Sequence, residues 1–435
     1  MRFLRRLLQF PRLVRRISQF LDQLETGARS AEALLYIQTM RQVWPEAIDE
    51  IMPGVKVPPE TRSDIASYYI KKSRSLKNLQ RQLNANLVSM AEGLSSLSLS
   101  AKVALFEEAL RIPSENTPNV LARYIRFLAL YGESDDQLVE VGDKFSRLGP
   151  SIWNESFRNT WLLYLSALLR KNRVDEALDI LKRYEKNYRL SEIETVPAAA
   201  LFARDNGYFN RAIEQAAELM RIVRENERQR TFVRFISGKS VAVVGNSYLE
   251  SGRGRGPEID GHDIVIRFNN APSEKIFAPD FGEKTTVLSR NLARKGFKIN
   301  SAAEVILIPD GLERRPLRRE MVKAFLAASR QGSLICGIPL GEYRSIMREA
   351  DITHLSNGAV VSAYVKRLVP EFSRRDLYGF SHFLDEALNH REYKQFHYFE
   401  KRCDGPDDSS FQIHPYPKES QFLRSLFPNG DTHGK

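Results

Sequence analysis

Val241-Ala-Val-Val-Gly-Asn-Ser247, a short β-branched run halted by a glycine, decides the fold. Upstream of it, from about Ser30 to Asn226, apolar residues recur at helical spacing and glycines are few. Downstream the pattern alternates. Strand candidates are Ile264–Phe268, Thr285–Leu288, Glu304–Ile308, Leu334–Ile338 and Asp376–Phe380, with helical stretches at Pro316–Arg330 and Ala359–Leu368 between them. Strands alternating with helices predict an α/β domain, a Rossmann-like and mostly parallel sheet flanked by helices. Ligands of such sheets bind beyond the carboxyl ends of the strands, where Gly245, Asn246 and Ser247 would stand. The glycine-rich run after them, Ser251-Gly-Arg-Gly-Arg-Gly256-Pro, is neither a dinucleotide fingerprint nor a P-loop. It fits a phosphate-binding loop or a flexible loop with solvated arginines.

The upstream half reads as all-helical. Ala167-Leu-Leu-Arg-Lys-Asn-Arg-Val-Asp-Glu-Ala177 and Leu201-Phe-Ala-Arg-Asp-Asn-Gly207-Tyr-Phe-Asn-Arg-Ala212 resemble one another, and Ala177 and Ala212 stand 35 residues apart. That interval is close to the tetratricopeptide period of about 34, so the segment is expected to be TPR-like. Phe127–Leu138 is a third, degenerate unit. Such a domain would bind a protein partner or serve as a platform. The expected organisation is a basic amphipathic helix over 1–29, a helical domain over 30–230 and a catalytic domain over 238–435.

The first residues carry an apolar stripe: Phe3, Leu4, Leu7, Leu8, Phe10 and their successors to Leu24. Arg2, Arg5, Arg6, Arg12, Arg15 and Arg16 are interleaved, and no acid occurs before Asp22. A basic amphipathic helix suits the interface of an anionic membrane; docking on the chain's own helices is the alternative. No apolar run approaches the ~18 residues that span a bilayer, and arginines interrupt every run that could be a signal peptide. The net charge of +11 favours acidic partners. No nucleic-acid motif or basic–aromatic platform accompanies it, so nucleic acid is not expected. Two cysteines, Cys336 and Cys403, suggest free thiols in a reducing compartment and make no zinc site. The acidic run Asp404-Gly-Pro-Asp407-Asp408 reads as a solvated loop, so no metal is expected.

Four blocks carry a resemblance. Val241–Ser247 continues through Gly256-Pro-Glu-Ile-Asp260-Gly-His-Asp263-Ile-Val-Ile-Arg267-Phe-Asn269-Asn-Ala-Pro272 to Asp280-Phe-Gly282-Glu-Lys-Thr285-Thr286. This resembles the large sialyl motif of glycosyltransferase family 29. Leu355-Ser-Asn-Gly358 with Asp376-Leu-Tyr-Gly-Phe380 resembles the small motif, His397-Tyr-Phe-Glu400 the third, and His414-Pro-Tyr-Pro-Lys-Glu419 the last. The order is the family's, and residues 238–425 are covered. Eukaryotic members pair a cysteine of the large motif with one of the small motif. Neither region has one here, which fits a cytoplasmic bacterial relative, soluble or peripheral on the inner face of the membrane.

The resemblance implies a Rossmann-like, GT-A-type variant fold and an inverting transferase that needs neither metal nor cofactor. It would move a 2-keto sugar acid from a CMP-activated donor to a hydroxyl of a glycan acceptor, a surface polysaccharide or glycolipid. Sialic acid is the expected sugar, with Kdo, another sugar acid carried on CMP, as the alternative. His414 would be the general base, an imidazole suited to taking a hydroxyl proton at neutral pH. His397 would assist departing CMP. The donor site would comprise Gly245, Asn246, Ser247, Asn269, Ser356, Asn357, Gly358, Gly379 and Phe380, with Glu419 and Glu400 in support. Each also has a plainer reading. Asn246 and Asn269 would brace turns, Ser356 or Asn357 would be an N-cap, and Glu419 would pack locally instead of orienting an imidazole. Arg267 and Asp263 read as structural. The competing function is a helical-repeat interaction protein whose transferase domain is degenerate.

Overall fold

The computed structural model of the 435-residue chain describes residues 76–93, 97–112, 114–188, 196–247, 250–269, 275–290, 303–309, 312, 317–353, 355–380 and 416–427. The basic N-terminus, His397, Glu400, His414, Cys403 and the acidic run 404–408 lie outside them. The chain divides into two compact units, Met1–Tyr124 and Ile125–Lys435.

In the first unit, helix α1 (Leu76–Gly93) packs on α2 (Leu99–Arg111). Ser98 caps α2 by accepting the Ala101 N–H at 3.1 Å, and Phe106 stacks on Tyr124 with ring centroids 4.9 Å apart. Tyr124 belongs to α3 (Thr117–Tyr131), within which the unit boundary falls.

The second unit continues with the helices α4 (Asp135–Ser146), α5 (Arg158–Arg170), α6 (Val174–Asn187), α7 (Pro197–Asp205) and α8 (Arg211–Arg228), in which α5 packs on α4, α6 and α7, and α7 packs on α8. Helices α4 and α5 approach closely enough to need a glycine. A Cβ on Gly142 would meet the Tyr164 ring at 2.1 Å. In the two segments that resemble one another the first helix also ends alike. Asn172 and Gly207 both turn into the left-handed region, at φ +56° and +89°. The following N–H groups close the same wide bond, Arg173 to Leu168 O at 2.9 Å and Tyr208 to Ala203 O at 3.0 Å, which satisfies carbonyls the ending helix leaves open.

After α9 (Thr231–Ile236) the sheet begins. Its strands are β1 (Val241–Val244), β2 (Ile264–Phe268), β3 (Val287–Ser289), β4 (Val305–Ile308), β5 (Leu334–Gly337) and β6 (Leu377–Tyr378). All pair in parallel, in the order β5-β4-β3-β2-β1-β6. Val241–Val244 and Val305–Ile308 are buried along their whole length, the pattern of strands covered on both faces. Full burial of each Val or Ile side chain is worth about 1.5–3 kcal/mol. Between the strands lie α10 (Gly256–Asp260), α11 (Ala278–Phe281), α12 (Arg319–Arg330), α13 (Leu340–Ala350) and α14 (Asn357–Leu368), and α15 (Tyr416–Ser425) follows the sheet. Over β1, β2 and β6, Ile259 of α10 and Phe281 of α11 complete a core with Ala242, Val244, Val265 and Tyr378. The fold is α/β, an all-parallel six-stranded sheet between helices, preceded by a helical region.

Four strands differ from their sequence expectation; Val305–Ile308 and Leu334–Gly337 are each one residue shorter than expected, and the other two differ more. The third runs Val287–Ser289 instead of Thr285–Leu288. Thr286 precedes it and bonds β2 through its hydroxyl, which accepts the Val265 N–H at 3.1 Å. The last covers only Leu377–Tyr378, not Asp376–Phe380. Asp376 closes a capping box with Ser373, and Gly379 leaves the strand with φ +65°.

Candidate active site

The sheet order reverses at β1. Strands β2 to β5 extend from one side of it, and the chain then crosses back to place β6 on the other. The carboxyl edge at such a switch point is where open α/β sheets hold ligands. Here the edge is drawn tight by backbone. The Gly245 N–H donates to Tyr378 O at 2.7 Å and the Ser247 N–H to Gly379 O at 3.0 Å. A Cβ on Gly245 would lie 2.3 Å from Gly379 O, and one on Gly379 would lie 2.7 Å from Gly245 O. Both positions exclude a side chain for that reason, and Gly379 also through its positive φ.

Two amides hold the neighbouring strand ends. Asn246 donates from Nδ2 to Phe268 O at 3.2 Å. Its Oδ1 is buried with no hydrogen-bond partner among the described residues. Asn269 follows β2 with φ +52° and donates its N–H to Ser289 O at 2.9 Å. The turn-bracing geometry is therefore present at both, and at Asn246 one acceptor is left over.

The third component is the N-terminus of α14. Ser356 is its N-cap, accepting the Ala359 N–H on Oγ at 3.1 Å. The Ser356 N–H and hydroxyl both donate to the carboxylate of Glu419 on α15, the N–H at 2.9 Å. Asn357 Nδ2 is buried without a partner among the described residues. Gly358 lies against Phe380, where a Cβ would come within 2.8 Å of the ring. Phe380 in turn meets Phe268 edge-on at 6.3 Å. The structure thus gathers Gly245, Ser247 and Gly379 by hydrogen bonds, Gly358 and Phe380 by contact, and Ser356 with Glu419. His397, His414 and Glu400 are not among the residues it describes.

The glycine-rich loop is not an open phosphate cradle. The N–H groups of Gly252 and Gly254 donate to the two carboxylate oxygens of Asp280 at 2.8 and 2.9 Å. These bonds hold the Asp280 carboxyl below the usual carboxylate range. Arg255 is not simply solvated either: it forms a fork onto Glu250, whose carboxylate also accepts the Gly379 N–H. Arg267 is 1% exposed and donates to Lys284 O and Phe281 O; burial brings its guanidinium down to about 10. Asp263 accepts the Ser240 N–H and hydroxyl. The Tyr378 hydroxyl donates to Glu258 at 2.9 Å and lies 3.1 Å from His262 Nε2. Burial, then the Glu258 bond, raises that phenol above its ordinary value.

Sequence reasoning missed Glu250, Arg255, Glu258 and Asp280. Glu250 and Arg255 offer only an acid and an arginine within one loop, which commonly means a solvated surface, while Glu258 and Asp280 stand in the large-motif block without a role of their own. Only the distant backbone they bind gives them meaning.

A parallel sheet with glycines, amides and a helix N-terminus gathered at its switch point is a Rossmann-like arrangement. Residues 184–304 match the model of glycosyltransferase family 29 (sialyltransferase), so this part of the chain is similar to that family. The matched segment opens in α6 and closes before β4, and the later three blocks lie beyond it. Sialyltransferase-like protein 2 of Oryza sativa subsp. indica is 55% identical over 49 residues, 11% of this chain and 12% of that protein. The CMP-N-acetylneuraminate-beta-galactosamide-alpha-2,3-sialyltransferase 1 of Mus musculus is 34% identical over 103 residues, 23% of this chain and 29% of that protein. A mammalian sialyltransferase crystallised with Gal-beta-1-3GalNAc-ortho-nitrophenol is 21% identical, over 52% of this chain and 81% of that chain, with a TM-score of 0.32. The chain spans less than a third of the length of these two curated relatives. Among the described residues no helix is long and apolar enough to cross a membrane.

Proposed function

We propose that the chain transfers sialic acid from CMP-sialic acid to a hydroxyl of a glycan acceptor, with inversion and without a metal. The observation that carries this is the switch-point edge, where Asn246 Oδ1 and Asn357 Nδ2 are buried and have no hydrogen-bond partner among the described residues. Buried polar atoms are rarely left so, and a nucleotide offers both a donor and an acceptor to them. The N-terminus of α14 adds N–H groups and a positive dipole end for an anion. The family match and the sialyltransferase relatives supply the sugar and the nucleotide.

In the reaction the acceptor oxygen bonds to the anomeric carbon of the sugar acid as the bond from that carbon to the phosphate oxygen of CMP breaks. The acceptor proton passes to His414 as general base. His397 donates a proton or hydrogen bond to the departing phosphate. CMP leaves as a monophosphate, a leaving group good enough to depart without Lewis-acid help. Motif order supports both histidine assignments. A lipid-linked or surface glycan acceptor agrees with the basic apolar stripe of residues 1–24, which would hold the chain on the inner face of an anionic membrane.

The test is turnover with CMP-sialic acid, and separately with CMP-Kdo, in the presence of EDTA. Transfer from CMP-sialic acid is expected to persist; its loss in EDTA refutes the metal-free mechanism, and transfer from CMP-Kdo alone replaces the sugar. A His414→Ala variant is expected to lose at least 100-fold in kcat, on the order of a general base's contribution. Flotation with anionic vesicles should fall when residues 1–24 are deleted.

A further inference from the structure

Glu250 is 3% exposed and does not belong to any of the roles above. Its Oε1 accepts the Gly379 N–H at 3.0 Å. Arg255 approaches as a fork, Nε to Oε2 at 3.0 Å and Nη2 to Oε1 at 2.7 Å. The guanidinium also lies over the Tyr378 ring, 4.6 Å from its centroid. A buried carboxylate persists only when paired and hydrogen-bonded, and Glu250 has both kinds of partner.

The consequence falls on one peptide plane. The peptide joining Tyr378 to Gly379 has its carbonyl fixed by the Gly245 N–H at 2.7 Å and its N–H fixed by Glu250. With that plane pinned at both ends, the Gly379 carbonyl meets the Ser247 N–H and the following Phe380 ring lies on Gly358. The Tyr378 carbonyl points at β1, so the N–H on the other side of that trans peptide points off the open side of β6, the edge strand, and an acceptor must come from elsewhere. The loop residue Glu250 supplies it across 129 positions of chain.

We propose that Glu250, held in place by Arg255, is a positioning residue for the nucleotide end of the site. It sets the backbone of Gly379 and, through it, the relation of Gly245-Asn-Ser247 to the N-terminus of α14. This rests on the reading of that edge as the CMP site.

Calorimetric titration of the full chain with CMP, together with thermal unfolding, tests it. Glu250→Ala is expected to weaken CMP binding at least tenfold. Glu250→Gln, which keeps an acceptor oxygen for Gly379, should recover most of that loss. Exchanging the charges, Glu250→Arg with Arg255→Glu, should restore thermal stability but not CMP affinity, since the carboxylate no longer stands opposite the Gly379 N–H. Full CMP affinity in the exchanged protein would show an ordinary ion pair and overturn the proposal, as would wild-type affinity in Glu250→Ala. Should Glu250→Ala not fold, Arg255→Lys keeps the charge and loses the fork; unchanged affinity there also overturns it. Absence of CMP binding by the wild-type chain would instead sink the reading of the edge, and this proposal with it.

Discussion

The Glu419 carboxylate binds Ser356 twice, once at its backbone N–H and once at its hydroxyl, across 63 residues of sequence. Glu419 is 0% exposed, and its partner is the cap of the helix that opens toward the candidate nucleotide site. The last block of the resemblance is thereby tied to the small one.

Glu419→Ala leaves two half-buried donors of Ser356 without their acceptor; the cost for a fully buried group is about 1–3 kcal/mol, and water can offset part of it here. Urea unfolding should show a lower midpoint, and CMP affinity should fall with it. Glu419→Gln, able to accept one of the two bonds, is expected to lie between. Equal stability of all three proteins would remove the tie.

Gly245→Ala places a methyl 2.3 Å from a backbone carbonyl that has no rotamer to escape into. Overpacking of this kind costs about 1–3 kcal/mol. Gly358→Ala meets the Phe380 ring instead, at 2.8 Å, and a side chain can be trimmed. Gly358→Ala combined with Phe380→Ala should therefore recover part of the thermal stability lost in Gly358→Ala alone. No second-site truncation of this sort is expected to rescue Gly245→Ala.

Asp280 titrates below its ordinary range when folded because the N–H groups of Gly252 and Gly254 favour its ionised form. A carboxyl with a depressed folded pKa contributes stability above its unfolded value of about 3.9 and loses it as pH falls through the folded one. Asp280→Asn should be less stable than wild type at pH 7, and the gap should close as the acid range below about 3.9 is entered. A gap in urea midpoint that stays constant from pH 7 to pH 3 would contradict this.

Asp135 at the start of α4 meets Arg170 at 2.8 Å and Arg344 of α13 at 3.0 Å. Burial alone would raise its pKa, but the two guanidinium groups outweigh it and lower it. Removing one member of a buried ion network costs about 3–5 kcal/mol by stranding the others. Asp135 and Arg170 are only partly buried, so Asp135→Ala is expected to fall below that figure. A double-mutant cycle with Arg344→Ala should give a coupling above about 0.5 kcal/mol.

Much of the sheet was legible because its strands announce themselves locally. Val241–Val244, Ile264–Phe268 and Val305–Ile308 are runs of residues that only a covered strand suits. The final strand was overdrawn, since Asp376-Leu-Tyr-Gly-Phe380 reads as five extended residues until Gly379 turns left-handed. At the site the sequence pointed to Asn246, Ser356 and Glu419 but not to what they touch. The partner of Glu419 is set by tertiary packing, and no local spacing encodes it. Charges misled most in the glycine-rich loop. Arg255 looks solvated until Glu250 comes to meet it, and the N–H groups of Gly252 and Gly254 look open until Asp280 of α11 does.

The pairing of β1 with β6 has a consequence for how the protein is made. Val243 and Val244 find their partners Leu377 and Tyr378 only after more than a hundred further residues have been added, and Glu419 follows later still. Strands β2 to β5 can assemble on β1 while synthesis continues, but the edge that carries the candidate site closes last, as expected for contacts of large sequence separation. A chain released early would hold a nearly complete sheet and no site, and its uncovered β1 edge would be the surface a chaperone meets.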